Sequence, residues 1–425
     1  MQALFGIAVL IGFAWLLSEN RRAIPWRTVA VALLLQVTVA LLLVHVAPVR
    51  SALLSLNVVV EALDSAAGAG AAFVFGWLGG AAPPFEVTEP SNMFLFVFRL
   101  SAQILLFSVL AALGWYSGIL PLVIRGIGAG LRRTLGVGGA VGTSTAASIF
   151  VGPVEAALTV RPMLAGMTRG ELFMLFSATM STVAGTVMVL YASILEPILP
   201  GSLGHILAAS VISAPAAILF GQLMVPSPAP TGLAGIEGEQ GGKAENSDLA
   251  VSVTYDSTMD AISRGTSEGL RLVANVVAML VVFVALVALV NGMLAALPDM
   301  LGEPVTLQRI LGWLFAPLAW LIGIPWSEAT AAGSLLGTKL VLNELIAYLD
   351  MAALDAKVLS ERSVLILTYA LCGFANLGSV GILVGGLLAM IPERRREVLE
   401  LAPRSLIAGT LATLTTGAVI GLVVW

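Results

Sequence analysis

Long apolar runs, interrupted by short charged patches, set the plan of this chain. The runs at 3–18, 28–48, 92–115, 172–197, 204–225, 272–295, 363–391 and 403–425 read as bilayer crossings. They predict an all-α polytopic membrane protein with about eight transmembrane helices. Other apolar segments do not fit a simple crossing. Residues 52–80 are rich in Gly and Ala and lead into Ala81-Ala82-Pro83-Pro84, the pattern of an interfacial helix. In 118–135, Arg125, Arg132 and Arg133 recur at spacings that suit a surface-lying amphipathic helix, and 307–320 reads as its counterpart in the second half.

Two segments, 136–164 and 327–349, are apolar, contain small residues and an acid well inside them, and are about long enough for two half-crossings. Both predict re-entrant helical hairpins, because non-helical backbone at membrane depth survives only inside protein or beside a cavity. Their acids, Glu155 and Glu344, each cost roughly 2.5–3.5 kcal/mol at a helix centre, so they are expected to face an interior cavity and to serve function there. After each hairpin comes a span interrupted by small and hydroxyl-bearing residues. Thr179-Met180-Ser181-Thr182-Val183-Ala184-Gly185-Thr186-Val187 resembles Gly373-Phe374-Ala375-Asn376-Leu377-Gly378-Ser379-Val380-Gly381. Paired broken segments in two halves point to the substrate site of a secondary transporter.

The arginines set the orientation. Arg21, Arg22 and Arg27 fall between the first two runs, Arg125, Arg132 and Arg133 after the third, Arg161 and Arg169 before the fourth, and Arg394, Arg395 and Arg396 before the last. Residues 51–98 carry no Lys or Arg. With positive loops in the cytoplasm, both termini are expected outside. The first hairpin then enters from the cytoplasm and the second from outside, an inverted repeat. Trp26, Trp77, Trp326 and Trp425 lie where interfacial anchors would. The first run lacks a basic leader and a small-residue cleavage site, so it reads as a retained span.

Composition narrows the classes. The chain is 58% hydrophobic and 11% charged, with a mean hydropathy of +1.00, which leaves no room for a sizeable soluble domain. No basic run or basic-aromatic patch suggests nucleic acid. The single Cys372 excludes an internal disulfide framework. His45 and His205 are far apart, and neither a metal cluster nor a motif such as H-E-x-x-H supports a membrane enzyme. The expected divisions are 1–117 (N-terminal scaffold helices with the interfacial helix), 118–225 (first transport repeat), 226–250 (a Gly, Pro, Ser and Glu-rich flexible loop), 251–300 (a scaffold span) and 301–425 (second transport repeat).

From about Phe73 onward the chain resembles the concentrative nucleoside transporters. The likeness rests on Phe73-Val74-Phe75-Gly76, residues 147–155, Gly333-Ser334-Leu335-Leu336-Gly337-Thr338-Lys339, Asn343-Glu344, Ala347-Tyr348-Leu349, the run from Tyr369 to Ser379 and Pro392-Glu393-Arg394-Arg395, all in order. The resemblance implies cation-coupled nucleoside uptake across the bacterial inner membrane by a homotrimer embedded in the lipid bilayer. Each protomer would have a scaffold and a mobile transport part. No cofactor is implied beyond a coupling ion, H+ or Na+. The resemblance also implies a nucleobase site at Gly152, Pro153, Val154, Glu155 and Val187. It implies a ribose site at Glu344, Asn376 and Ser379 with Phe374 beside it, and a sodium site near Ser148, Val151, Thr182 and Val183.

The residues suit these roles without fixing them. A carboxylate with an amide binds vicinal hydroxyls through charge-assisted hydrogen bonds, yet Glu344 could instead pair with Lys339 or an arginine and lock the hairpin. Glu155 could contact substrate or simply hold the hairpin tip, and either acid could carry a proton, since burial favours a carboxyl's protonated form. Asn376 and Ser379 could equally satisfy backbone groups freed by the broken helix.

Two departures from the family pattern change the expectation. The usual tip reads Gly-Gln-Thr-Glu or Gly-Gln-Ser-Glu, and here it is Gly152-Pro153-Val154-Glu155. Proline and valine offer a base edge no side-chain donor or acceptor, so base recognition is expected to be relaxed or altered. The position often held by asparagine is Ser148, and an upstream glutamate is Val141. A serine is a poorer sodium ligand, which favours proton coupling through Glu155 or Glu344. The competing reading is a symporter of another small neutral or cationic polar solute on the same two-hairpin plan. An anionic substrate would call for arginine inside the hairpins and broken spans, and apart from Arg161 at the end of the first hairpin none lies there.

Overall fold

The computed structural model describes residues 1–88, 96–227, 255–299 and 304–424, and among these every regular element is helical. The flexible loop expected at 226–250 lies, from residue 228 on, outside the described residues, as does Trp425.

Helices α1 (Gln2–Leu16) and α2 (Trp26–His45) precede the long α3 (Ala47–Phe75), which ends in a 3-10 turn at Gly76–Gly79. Helix α4 (Phe96–Tyr116) bends by 74° into α5 (Ile119–Leu135). Gly118 makes that corner at φ 77°, where a side chain would be strained. Helix α5 buries Ile124, Gly128, Leu131 and Leu135 and exposes its arginines, the i, i+4, i+7 stripe of an amphipathic helix.

A two-armed hairpin follows, α6 (Gly139–Ala147) against α7 (Pro153–Leu158) and the single turn α8 (Arg161–Leu164). Next come a helix in two pieces, α9 (Arg169–Ser181) and α10 (Gly185–Leu195), and the long α11 (Ser202–Met224). Helix α12 (Thr258–Leu294) separates this set from a second in the same order. There α13 (Leu307–Leu321) bends by 116° into the hairpin α14 (Trp326–Val341) and α15 (Glu344–Ala353). The two-piece helix is α16 (Glu361–Leu371) and α17 (Leu377–Met390), and a 3-10 turn at Pro392–Arg394 leads into α18 (Arg395–Val423). Each hairpin docks on the amphipathic helix before it through facing glycines. A Cβ on Gly142 would sit 2.8 Å from Gly128 O, and one on Gly333 would sit 2.5 Å from Gly312 O.

The helix starts are written in local chemistry. A capping box opens α9: the Thr168 hydroxyl accepts from Glu171 N–H, and the Glu171 carboxylate accepts from Thr168 N–H. Asn343, Ser360 and Asn376 cap α15, α16 and α17 with their side-chain oxygens. The two breaks span Thr182 to Ala184 in one case and Cys372 to Asn376 in the other.

Helices α9, α11 and α18 form the interior, and α11 is buried at every residue from 214 to 224. Helix α12 is the opposite case. Gly265 and Gly269 let it lie close along α4, but Val281, Val282, Val284, Leu286, Leu289 and Met293 stay exposed. Such a surface is tolerable in lipid and not in water. The apolar run at 272–295 predicted a shorter helix. Ser257 accepts from Asp260 N–H, and Arg264 pairs with Asp260 at 2.9 Å, so the helix starts with a polar stretch at Thr258.

By length and composition, five helical stretches among the described residues could cross a bilayer alone, or up to seven with the bent pairs. The expected eight also counts α1 and the pieces α16 and α17, each shorter than a full crossing. The division at 1–117 groups α1 and α2 with α4. Their hydrogen bonds run elsewhere: Gln2 Nε2 to Ile324 O at 3.0 Å, Glu19 N to Met224 O at 3.0 Å, Gln36 Nε2 to Thr416 Oγ1 at 3.1 Å and His45 Nε2 to Val423 O at 2.8 Å. These tie the pair to α11, α18 and the α13–α14 turn.

Candidate functional site

The two helix breaks meet in the middle of the molecule. Phe374 N donates to Thr182 O at 3.2 Å. Gly373 permits the approach, since a Cβ there would lie 2.7 Å from Thr413 Cγ2 and 3.0 Å from Met180 O. The first hairpin's tip is pinned to the same place by Gly185 N donating to Phe150 O at 2.9 Å.

Glu344 begins α15 beside this crossing and is 3% exposed. Its carboxylate accepts from Tyr191 Oη–H at 2.7 Å and from Asn376 Nδ2–H at 2.9 Å, one donor on each oxygen. The Asn376 amide is oriented by its second task, because its Oδ1 accepts Ser379 N–H at 2.8 Å and starts α17. Ser379 thus joins the cluster through its backbone. Tyr191 packs against Tyr348 at 5.1 Å between ring centroids, and the Tyr348 hydroxyl donates to Thr368 O at 2.8 Å. Each Glu344 oxygen keeps a lone pair for a further donor. The cluster can therefore receive vicinal hydroxyls.

Lys339 does not pair with Glu344. Its ammonium donates to Ala370 O at 3.1 Å and Thr413 Oγ1 at 2.8 Å. Of the two roles the sequence left open for Glu344, a Lys339 ion pair is absent among the described residues.

Glu155 has a different setting. Gly152 caps α7, Pro153 takes the first helical position where a missing N–H costs nothing, and the Glu155 carboxylate folds back over Gly152. The residue is exposed and makes no ion pair among the described residues. Val154 packs on Gly386 of α17. Gly386 lies ten residues beyond Asn376, roughly 15 Å along the helix. The two hairpin tips thus meet different parts of α17, Val154 at Gly386 and Glu344 at Asn376, and the structure records no contact between Glu155 and Glu344. Val187 is buried one turn before Tyr191 on the same face of α10, and Phe374 is half-buried.

The candidate ion residues cluster where the first hairpin meets the first break. Ser148 and Thr182 are each 1% exposed and Val183 is fully buried. Ser148 Oγ donates to Thr145 O at 2.8 Å and Thr182 Oγ1 to Ala178 O at 3.0 Å, leaving their oxygens able to accept or coordinate. Thr145 Oγ1, one turn before Ser148, is buried without a partner. Hydroxyl and carbonyl oxygens suit a hard cation.

Tyr191 is the residue that sequence reading missed. A lone tyrosine in an apolar run reads as core, and the usable signal was its position four residues after Val187. The bases of both hairpins are also held by arginines not singled out as holding them. Arg394 donates to Leu164 O and Met167 O at 2.9 and 2.7 Å, and Arg362 donates to Gly323 O and Gly421 O at 2.8 and 2.6 Å.

Three family models match the chain: the Na+ dependent nucleoside transporter C-terminus over residues 205–421, the corresponding N-terminus over 5–78, and a nucleoside recognition gate over 97–198. Among curated proteins, nucleoside permease NupC of Helicobacter pylori is 35% identical, with 98% of this chain and 96% of that protein covered. Mouse sodium/nucleoside cotransporter 1 is 31% identical over 98% of this chain and 63% of its own length. A solved structure of CNTnw in an inward-facing substrate-bound state superposes with a TM-score of 0.86 at 38% identity, covering 99% of this chain and 97% of that one. A double variant of CNTnw in an outward-facing state gives 0.88 at the same identity and coverage.

Proposed function

The chain belongs to the Na+ dependent nucleoside transporter family, whose members are transporters and not enzymes, and on that premise we propose that it is a symporter importing nucleosides across the bacterial inner membrane. The observation that carries the reading is the Glu344 carboxylate, buried at the crossing of two broken helices and oriented by Tyr191 and Asn376. A ribose offers two adjacent hydroxyls to the remaining lone pairs of that carboxylate, and the second Asn376 amide hydrogen can donate back to the sugar. The site lies between two re-entrant hairpins of opposite insertion, and transport proceeds by alternating access. Gly152, Pro153, Val154, Glu155 and Val187 form the base side, with Phe374 packing beside the ligand and Ser379 beside the ribose. Pro153 and Val154 give that wall little hydrogen-bonding capacity, so several bases are accepted. Three copies assemble, with the exposed apolar face of α12 available for the contact.

The driving ion in this proposal is the proton. Ser148 supplies a single hydroxyl where an amide is usual, and Glu155, with no basic partner among the described residues, is the acid free to take up and release a proton. Sodium is the second reading, favoured by the unpartnered Thr145 hydroxyl one turn before Ser148, with Val151, Thr182 and Val183 as further ligands. Another small neutral or cationic polar solute is the alternative cargo, and the apolar tip at Pro153 and Val154 is what favours it.

Proteoliposomes with imposed proton or sodium gradients, one labelled nucleoside and a panel of competitors test all of this. The expected result is uptake that follows the proton gradient, collapses with an uncoupler and is competed by purine and pyrimidine nucleosides alike. Uptake that tracks sodium and ignores the uncoupler would replace the proton by sodium. Competition by one base class alone would overturn the relaxed base wall. Indifference to every nucleoside would overturn the cargo.

A further inference from the structure

Lys339 is a buried ammonium with no part in the site described so far. It is 2% exposed and stands two residues before the end of α14. Ala370, which accepts one of its hydrogen bonds, is the penultimate residue of α16. The ammonium therefore sits on the carbonyl end of a half-helix, where the helix dipole is negative and carbonyls lack intrahelical partners. A small cavity of about 10 Å³ lies beside it, bounded by Lys339, Leu336, Ala370 and Thr413. A full charge at this depth is costly and persists where it has a task. Glu344 follows five residues later, equally buried. The two flank the second break, Lys339 on Ala370 O and Glu344 on the Asn376 amide, and they do not touch. The other ionisable groups around them, Tyr191 from α10, Tyr348 from α15 and Cys372 from the second break, belong to types uncharged near pH 7. Glu155 on the first hairpin has no such arrangement: it makes no ion pair among the described residues.

We propose that Lys339 is a built-in counter-charge to Glu344 at the second break, keeping that carboxylate ionised for its ligand. Glu155 on the first hairpin is then the acid whose charge has to be met by a cation drawn from solution. This rests on the transporter reading, and it adds a division of labour. Glu344 has its cation supplied covalently by its own hairpin, and Glu155 acquires one in every cycle.

The test is a double-mutant cycle on the full-length protein, read first without substrate. Lys339→Met keeps the aliphatic stem and removes the charge, and Glu344→Gln removes the opposite charge. Each single change is expected to lower the Tm in detergent. The combination is expected to recover about half or more of the Lys339→Met loss, since coupled sites depart from additivity. A wild-type Tm for Lys339→Met, or losses that simply add, overturns the proposal. Should Lys339→Met fail to accumulate in membranes, recovery of accumulation in the double variant takes the place of the Tm, and no recovery overturns it. Uptake is the second arm: Lys339→Met is expected to slow cation-driven transport by about a hundredfold, the factor set by one uncompensated charge at membrane depth, and a wild-type rate overturns the proposal. The thermal arm needs no nucleoside, so it stands or falls independently of the cargo.

Discussion

Tyr191 and Asn376 divide the Glu344 carboxylate between them, and each donor has a distinct consequence when lost. Tyr191→Phe keeps the ring stacked on Tyr348 and removes only the hydroxyl. The carboxylate is left short of one donor in a buried site, a cost of about 1–2 kcal/mol. Nucleoside KM is therefore expected to rise by about tenfold with membrane accumulation unchanged, measured as concentration-dependent uptake. An unchanged KM would remove Tyr191 from the site. Asn376→Ala is the harsher change, because it also deletes the cap of α17. At this scale the sequence was readable where chemistry stood out against an apolar background. Glu344, Asn376 and Glu155 announce themselves as polar groups at membrane depth. Tyr191 does not, since an amphipathic ring in a hydrophobic run has the same appearance whether its hydroxyl reaches a carboxylate or a backbone carbonyl.

The helices divide according to whether their ends are chemically marked. The helix ends within 136–164 and 327–349 and at the two interruptions were legible because small residues, hydroxyls and capping groups gather there. The start of α12 was not legible from hydropathy, since its first turns are held by the Ser257 cap and the Asp260–Arg264 pair and not by apolar periodicity. The crossing of the breaks depends on Gly373, whose missing side chain lets α16 pass against Met180 and Thr413. Gly373→Ala forces those neighbours apart at an overpacking cost of about 1–3 kcal/mol. The expected outcome is a lower Tm together with lost uptake. A variant that transports normally would mean that the breaks can separate without consequence.

Across the whole molecule, partners of the apolar faces were the least legible feature, because an apolar stripe says that a face is covered and not by what. Helices α1 and α2 illustrate this. They come first in the chain, yet their polar contacts join α11, α18 and the α13–α14 turn. Their connecting loop extends that attachment through Glu19, which binds Arg169 of α9 at 2.8 Å and also pairs with Arg404 of α18. Arg169 hydrogen bonding, with Arg404 assisting, holds the Glu19 carboxyl below its ordinary range against a partial burial effect in the other direction. A lowered carboxyl contributes stability that is complete above its unfolded value, about 4.3, and is lost as pH falls through the lower folded value. Wild-type Tm is therefore expected to fall faster than that of Glu19→Gln on acidification below about pH 4.5. The difference is at most about 1 kcal/mol for so exposed a group, and parallel curves would count against the linkage. The same anchorage makes the N-terminus a passenger. Whichever portion of the protomer is displaced when cargo crosses, a fluorophore at residue 1 rides with α11 and α18, and its separation from a second dye on α12 becomes a gauge of the stroke.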